Sequence, residues 1–185
     1  MPSVAVLAAD GFETIECLTM VDVMRRGGVR ATLVSIMPTR EVVSSLQIPV
    51  TCDALFDEIN FDEYDCVVLP GGLPGAHNLE ASPVVQGCID SCVEQGKLVA
   101  AICAAPSILA HKGLLAGKNA TAFPSFQKDL EEGGALLSES YVVRDGQFLT
   151  ARGMGVATQF GLALAAALVS EEKAAEIRAS IQWEG

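Results

Sequence analysis

Histidine is almost missing from this sequence: His77 and His111 are the two among 185 residues. Any mechanism that needs an imidazole must use one of them. Basic residues are also few, 12 Lys and Arg against 23 Asp and Glu, for a net charge of −11. Without a Lys/Arg run to neutralise phosphates, the composition argues against nucleic-acid binding. It leaves small anionic substrates open, because one Arg can dominate a local pocket. The plainest effect of the acidity is on solubility. No apolar run approaches the ~18 residues of a membrane span. The longest candidate, Phe160 to Val169, has the length of a core helix. The opening MPSVAVLAADG carries no basic segment and too short an apolar run for a secretory leader, so a cytoplasmic protein is expected. Six cysteines, at 17, 52, 66, 88, 92 and 103, are then expected to be reduced. Cys88 and Cys92 stand four apart on a predicted helix, but no His or Cys cluster accompanies them, so no metal site is expected.

What is present is apolar. Half the residues are hydrophobic, enough for a large core in one domain over 1–185. Buried strands are predicted at Ser3–Leu7, Val29–Ile36, Cys66–Leu69 and Leu98–Ile102. Ile48–Cys52 reads as extended, after a loop or short hairpin at 38–45, and residues 119–122 form a further candidate strand. Helices are predicted over 13–26, 83–95, 156–169 and 171–180, with Gly27, Gly28 and Gly96 at their ends and Pro83 at a first turn. Asp145-Gly146 marks a hairpin within 141–150. No internal repeat, low-complexity tract or linker interrupts the chain. Alternating strands and helices predict an α/β fold, an open, mostly parallel sheet covered on both faces. In such sheets the ligand crevice lies outside the carboxyl ends of the strands. Loops 9–13, 70–76 and 103–106 fall there.

Cys103 is the leading candidate for chemistry. The run LVAAI ends at this cysteine and a helix-forming stretch follows at once, which places a thiol on a strand-to-helix turn. Helix N–H groups pointing at the sulfur favour thiolate, the reactive form. A small buried hydrophobe is the competing reading, and on position alone the two stand level. Glu16 shifts the balance: it sits in the apolar stretch TIECLTMVDVM, where desolvation raises a carboxyl pKa. Protonated, it donates a hydrogen bond to a thiolate; ionised, it repels one, so the two titrate as a coupled unit. Gly71 and Gly72, after a buried strand, leave backbone N–H groups free and combine with those after Cys103 into an oxyanion hole. His111 is eight residues beyond Cys103, roughly 12 Å along a helix, and is out of reach. His77 either edges the crevice or stands on a surface loop. Arg152, in ARGMG, either holds an anion or makes a structural salt bridge.

The motifs GFETIE, VDVMRRGG, YDCVVLPGG, GAHNL, AAICAAP and LTARGMG, in this order and spacing, resemble the ThiJ/PfpI superfamily over essentially the whole chain. The similarity is to the branch that contains the human parkinsonism-associated protein and bacterial ThiJ-like proteins. It implies a flavodoxin-like three-layer sandwich of the class I glutamine-amidotransferase type. By position, Cys103 matches the reactive cysteine, Glu16 its protonated partner, and Gly72 and Ala104 the backbone donors. Cys52 matches a peripheral cysteine near the family's dimer interface, and a homodimer with the first helix near that interface is implied. Two departures stand out. Peptidases and amidotransferases of the superfamily place His directly after the nucleophile or elsewhere in a triad; here Ala104 follows Cys103, so peptidase activity is not expected. The human branch has a His where this chain has Phe123.

The resemblance and the residues together lead to a cofactor-free, cysteine-dependent glyoxalase or deglycase. It would act on methylglyoxal, glyoxal or early glycation adducts and protect against carbonyl and oxidative stress. The rival is a redox sensor or chaperone without turnover, whose Cys103 is oxidised to the sulfinate. A third reading is a purely structural domain.

Overall fold

The computed structural model describes residues 1–184. The chain runs through β1 (Ser3–Ala8), α1 (Thr14–Arg26), β2 (Arg30–Ser35), the hairpin β3 (Glu41–Val43) and β4 (Pro49–Thr51), and β5 (Ala54–Leu55). It continues with β6 (Cys66–Leu69), α2 (Gly75–Ala81), α3 (Pro83–Glu94), β7 (Leu98–Ile102) and α4 (Pro106–His111). Then come β8 (Asn119–Ala120), α5 (Gln127–Glu132), β9 (Leu136–Leu137), β10 (Val142–Asp145), β11 (Phe148–Ala151), α6 (Ala157–Leu168) and α7 (Glu171–Ser180).

Seven strands form the central sheet in the order β10-β11-β7-β6-β1-β2-β5. All its pairings are parallel except the β10–β11 hairpin. The two-residue side-chain period of a strand divides β1 between two cores. Val4, Val6 and Ala8 face a core shared with Met20 and Met24 of α1, Phe160 and Leu164 of α6, and Ile177 of α7. Ala5 and Leu7 face the opposite core, with Leu79 of α2, Ile89 of α3, Ile108 and Leu109 of α4 and Leu130 of α5. Helices therefore cover both faces, and the central strands are apolar on both sides, as a buried parallel sheet requires. α1 packs tightly on α6: a Cβ added at Gly161 would lie 3.2 Å from the Val23 Cβ. Among the described residues no helix is long and apolar enough to cross a membrane.

From β1 the chain steps outward to β2, and later returns to the other side of β1 at β6. The crevice at this reversal lies beyond the carboxyl ends of β1 and β6, with the end of β7 beside it. Three local expectations are corrected. The loop expected over 70–76 ends earlier, because Gly75–Ala81 form α2. Tertiary packing decides this, since a Cβ at Gly75 would lie 2.6 Å from the Phe12 nitrogen. The strand expected over 119–122 shortens to β8 and pairs with β9 in a small separate sheet. The helix after Cys103 begins only at Pro106 and has six residues.

Candidate active site

Cys103 stands directly after β7 with φ of 64°, in the left-handed region. For a residue with a side chain this conformation costs about 1–2 kcal/mol. Both its backbone groups are held. Its N–H donates to the Ala151 carbonyl at the end of β11 (2.9 Å), and its own carbonyl accepts from the Phe123 N–H (2.9 Å). The sheet and the following loop thus fix a sharp turn that turns the thiol outward. It is the one cysteine of the six that is not fully buried.

Glu16 reaches the thiol from the first turn of α1. Its side chain is buried, with 0% exposure. Glu13 caps the helix, its Oε2 accepting from the Glu16 N–H at 2.7 Å. The Glu13 N–H in turn donates to the Gly71 carbonyl, and the Gly71 N–H donates to Glu16 Oε2, both at 2.9 Å. The helix start and the Gly-Gly loop are thereby tied to each other and both to the carboxyl. Glu16 Oε1 is buried without a conventional hydrogen-bond partner. Besides Gly71, the carboxyl interacts with the Cys103 side chain and with the Met154 backbone. Only glycine fits the loop beside them. A Cβ at Gly71 would lie 2.5 Å from both Cys103 Cβ and Glu16 Oε2. Gly72 has φ of 87°, and a Cβ there would lie 2.3 Å from the Glu13 nitrogen.

Backbone N–H groups of Gly72 and Ala104 act to lower the Cys103 pKa and so favour the thiolate. They take the place of the helix N-terminus expected there, which lies further on at Pro106, a residue without an N–H. This revises the electrostatics. Burial, then the charge of Glu16 and its hydrogen bond, push the Cys103 thiol up to about 12, against the expected acidic thiol. Burial first, with repulsion from Glu13, pushes the Glu16 carboxyl up to about 7. The two groups share their protons as one unit, and the unit loses its first proton near neutrality. A thiolate forms in this unit when Glu16 keeps its proton and the Gly72 and Ala104 N–H groups hold the sulfur.

A cavity of about 440 Å³ adjoins the pair, with Phe123, Tyr141, Arg152, Gly153 and Met154 among its walls. A Cβ at Gly153 would stand 3.3 Å from the Phe123 ring, 3.8 Å from Glu16 Oε1 and 4.0 Å from Cys103 Sγ, so this wall lies close to both reactive groups. Phe123 is 46% exposed at the cavity edge. The Arg152 guanidinium lies 4.6 Å above the Tyr141 ring, and its Nε is 3.4 Å from Thr121 Oγ1. Among the described residues it pairs with no carboxylate, so the salt-bridge reading of Arg152 is set aside. His77 stands exposed on α2, and the structure shows no contact between it and Cys103 or Glu16. His111 Nδ1 instead sits 2.6 Å from Glu80 Oε1 on the surface. Cys52 is buried, and burial pushes its thiol up to about 11; Cys17, Cys66, Cys88 and Cys92 are buried too. Among the described residues no group of His, Cys, Asp and Glu is arranged to hold a metal. Tyr141, Gly153 and Met154 were not singled out by sequence reasoning; their signal lay in the LTARGMG segment and in the hairpin that precedes it.

The site thus sets a buried acid beside a left-handed cysteine, with a Gly-Gly loop against both. The family model described as DJ-1/PfpI matches residues 2–167. The chain belongs to the DJ-1/PfpI family. Among its DJ-1 relatives, the fruit-fly (Drosophila melanogaster) protein dj-1beta is 35% identical over 175 residues, covering 95% of this chain and 94% of the fly protein. A protein of the archaeon Thermococcus kodakarensis named deglycase TK1284 is 32% identical over 153 residues, 82% of this chain and 90% of its own. The solved structure of oxidised Toxoplasma gondii DJ-1 superposes with a TM-score of 0.94 at 32% identity, covering 100% of both chains. These DJ-1 neighbours share the flavodoxin-like architecture, with the central sheet mostly parallel and helices packed around it.

The raised Glu16 pKa sets a dependence of stability on pH. The folded state holds the Glu16 proton up to about pH 7, whereas an unfolded carboxyl releases it at its ordinary value of 4.5. Stability therefore falls as pH rises between these values, by roughly 3 kcal/mol if the whole shift is expressed. Glu16→Gln, which cannot ionise, removes this loss. Urea denaturation should show the variant more stable than the wild type at pH 8, with the difference closing below about pH 4.5. A constant difference across that range would contradict the buried, proton-holding carboxyl.

Proposed function

We propose that this chain is a cysteine-dependent, cofactor-free glyoxalase or deglycase acting on methylglyoxal, glyoxal or early glycation adducts. The observation that carries the reading is the Glu16–Cys103 pair, a carboxyl with a pKa near 7 against a thiol that lies behind Gly153, one wall of a cavity. The relative named as a deglycase supports it. The thiolate adds to the aldehyde carbon of methylglyoxal, forming a C–S bond. The resulting alkoxide lies among the Gly72 and Ala104 N–H groups and takes the proton of Glu16. Glu16, now a carboxylate, removes the hydrogen on the former aldehyde carbon as a proton and returns it to the adjacent carbon, while the hydroxyl proton on the first carbon passes to the former ketone oxygen. One carbon is oxidised and its neighbour reduced, so no external electron acceptor enters. The product is a lactoyl thioester on Cys103, which water hydrolyses to lactate and free thiol. No histidine contacts the pair, and Ala104 follows the nucleophile, so this reading does not extend to peptide hydrolysis.

Methylglyoxal turnover to lactate, followed in a buffer without amines, tests the proposal. Cys103→Ser should fall to the uncatalysed rate, and Glu16→Gln should lose about 10²–10⁴-fold in kcat. The wild-type rate should rise through an inflection near pH 7, as the pair gives up its first proton. Full lactate production by the Cys103→Ser variant would overturn the assignment.

A redox-sensing role is favoured by a different observation: Glu16 Oε1 is buried without a conventional partner beside the one cysteine that is not fully buried. A sulfinate oxygen would accept its proton. Mild peroxide should then drive Cys103 to the sulfinate ahead of the other five cysteines in a mass-spectrometric map of the wild type. Oxidation spread evenly over all six would count against a sensor.

A further inference from the structure

The protein carries a net charge of −11, yet no Asp or Glu lines the cavity beside the thiol, and Arg152 is its one charged wall. Most of the remaining wall is apolar or aromatic: Phe123, Pro124, Tyr141, Met154 and Val156. The guanidinium is held from one side by the Tyr141 ring at 4.6 Å and tethered through Nε to Thr121. Its two terminal nitrogens donate to no protein acceptor among the described residues. A planar fork whose orientation is set and whose outer donors are unused matches a carboxylate or phosphate, which such a fork binds in a bidentate manner. Position in the chain keeps it near the chemistry. Arg152 follows Ala151, whose carbonyl receives the Cys103 N–H, and precedes Gly153, which lies against the sulfur.

We propose that Arg152 is an anion-recognition residue, and that the preferred substrates are carbonyl compounds bearing a carboxylate or phosphate next to a short apolar body. The acid group rests on Arg152 and Tyr141, and the carbonyl carbon reaches Cys103 past Gly153. Early adducts of an oxoaldehyde with a free amino acid have this chemistry through their carboxylate; neutral methylglyoxal has no such handle. The proposal rests on Cys103 as the reacting group, but not on turnover.

Alkylation separates these layers, because it reads the thiol directly. Iodoacetate and iodoacetamide form the same S–C bond and release iodide, and the thiol proton goes to solvent; they differ in one negative charge. The ratio of their rates at Cys103, read by mass spectrometry of its peptide, cancels any change in the thiol's own reactivity. Arg152→Gln should lower the iodoacetate-to-iodoacetamide ratio about fivefold at low salt, the effect of one charge at partly screened range. Arg152→Lys, which keeps the charge, should stay within about twofold of the wild type, and high salt should bring all three together. A ratio unchanged by Arg152→Gln while both reagents label Cys103 overturns the anion-recognition role and leaves the reactive cysteine standing. Failure of both reagents to label Cys103 in the wild type overturns the reading of the cysteine itself.

Discussion

The site depends on one unfavourable placement, a carboxyl with no exposed surface set against a sulfur. Desolvation holds Glu16 protonated to about pH 7, and that proton can make the contact with a Cys103 thiolate an attraction, whereas toward the ionised carboxyl the Cys103 thiol is the donor. Were Glu16 ionised at neutrality, it would repel a thiolate and hold the sulfur as thiol. Much nearby structure keeps this placement in register. Glu13 caps α1 so that its first turn aims Glu16 inward, and the loop at Gly71 is closed on both sides by hydrogen bonds to α1. Cys103 accepts backbone strain to meet the carboxyl, and the ends of β7 and β11 hold it there.

This balance alters how the cysteine should be understood. Its reactivity does not come from an acidic thiol, because burial and the neighbouring carboxyl both disfavour the lone thiolate. It comes from the pair: Glu16 gives up its proton near neutrality, and the Gly72 and Ala104 N–H groups lower the cost of passing the thiol proton to that carboxylate. Adding to a carbonyl and stabilising an oxidised sulfur both use the same donor set, so one site chemistry supports both the enzymatic and the sensing roles. What separates them is access, and the cavity beyond Gly153 offers room for a substrate.

Much of this was legible in the sequence, for identifiable reasons. The central strands are apolar on both sides and the helices between them are marked by Gly and Pro, so β1, β6, β7, α1 and α3 stood out within a residue or two. Glu16 was visible because a carboxyl in TIECLTMVDVM has no polar face to share. Elements fixed by packing were hidden: α2 forms because Gly75 sits against the backbone at Phe12, and β8 leaves the main sheet to pair with the two-residue β9. The thiol's electrostatics were misjudged because helix N–H groups were expected to point at the sulfur, whereas Ala104 and Ala105 form a turn and the helix begins only at Pro106. Arg152 was noticed, but its stacking on Tyr141 joins two sides of a hairpin, and no spacing rule shows that.

The central claim is that Glu16 and Cys103 form one titrating unit. Carbon-13 chemical shifts of the Glu16 side-chain carboxyl, followed against pH in the wild type and in Cys103→Ala, test it most directly. The account predicts a wild-type midpoint near pH 7. It also predicts a higher midpoint in Cys103→Ala, because the hydrogen bond from Cys103 favours the ionised carboxyl and is then lost. A wild-type midpoint at the ordinary glutamate value, or one that does not move when the sulfur is removed, would contradict it.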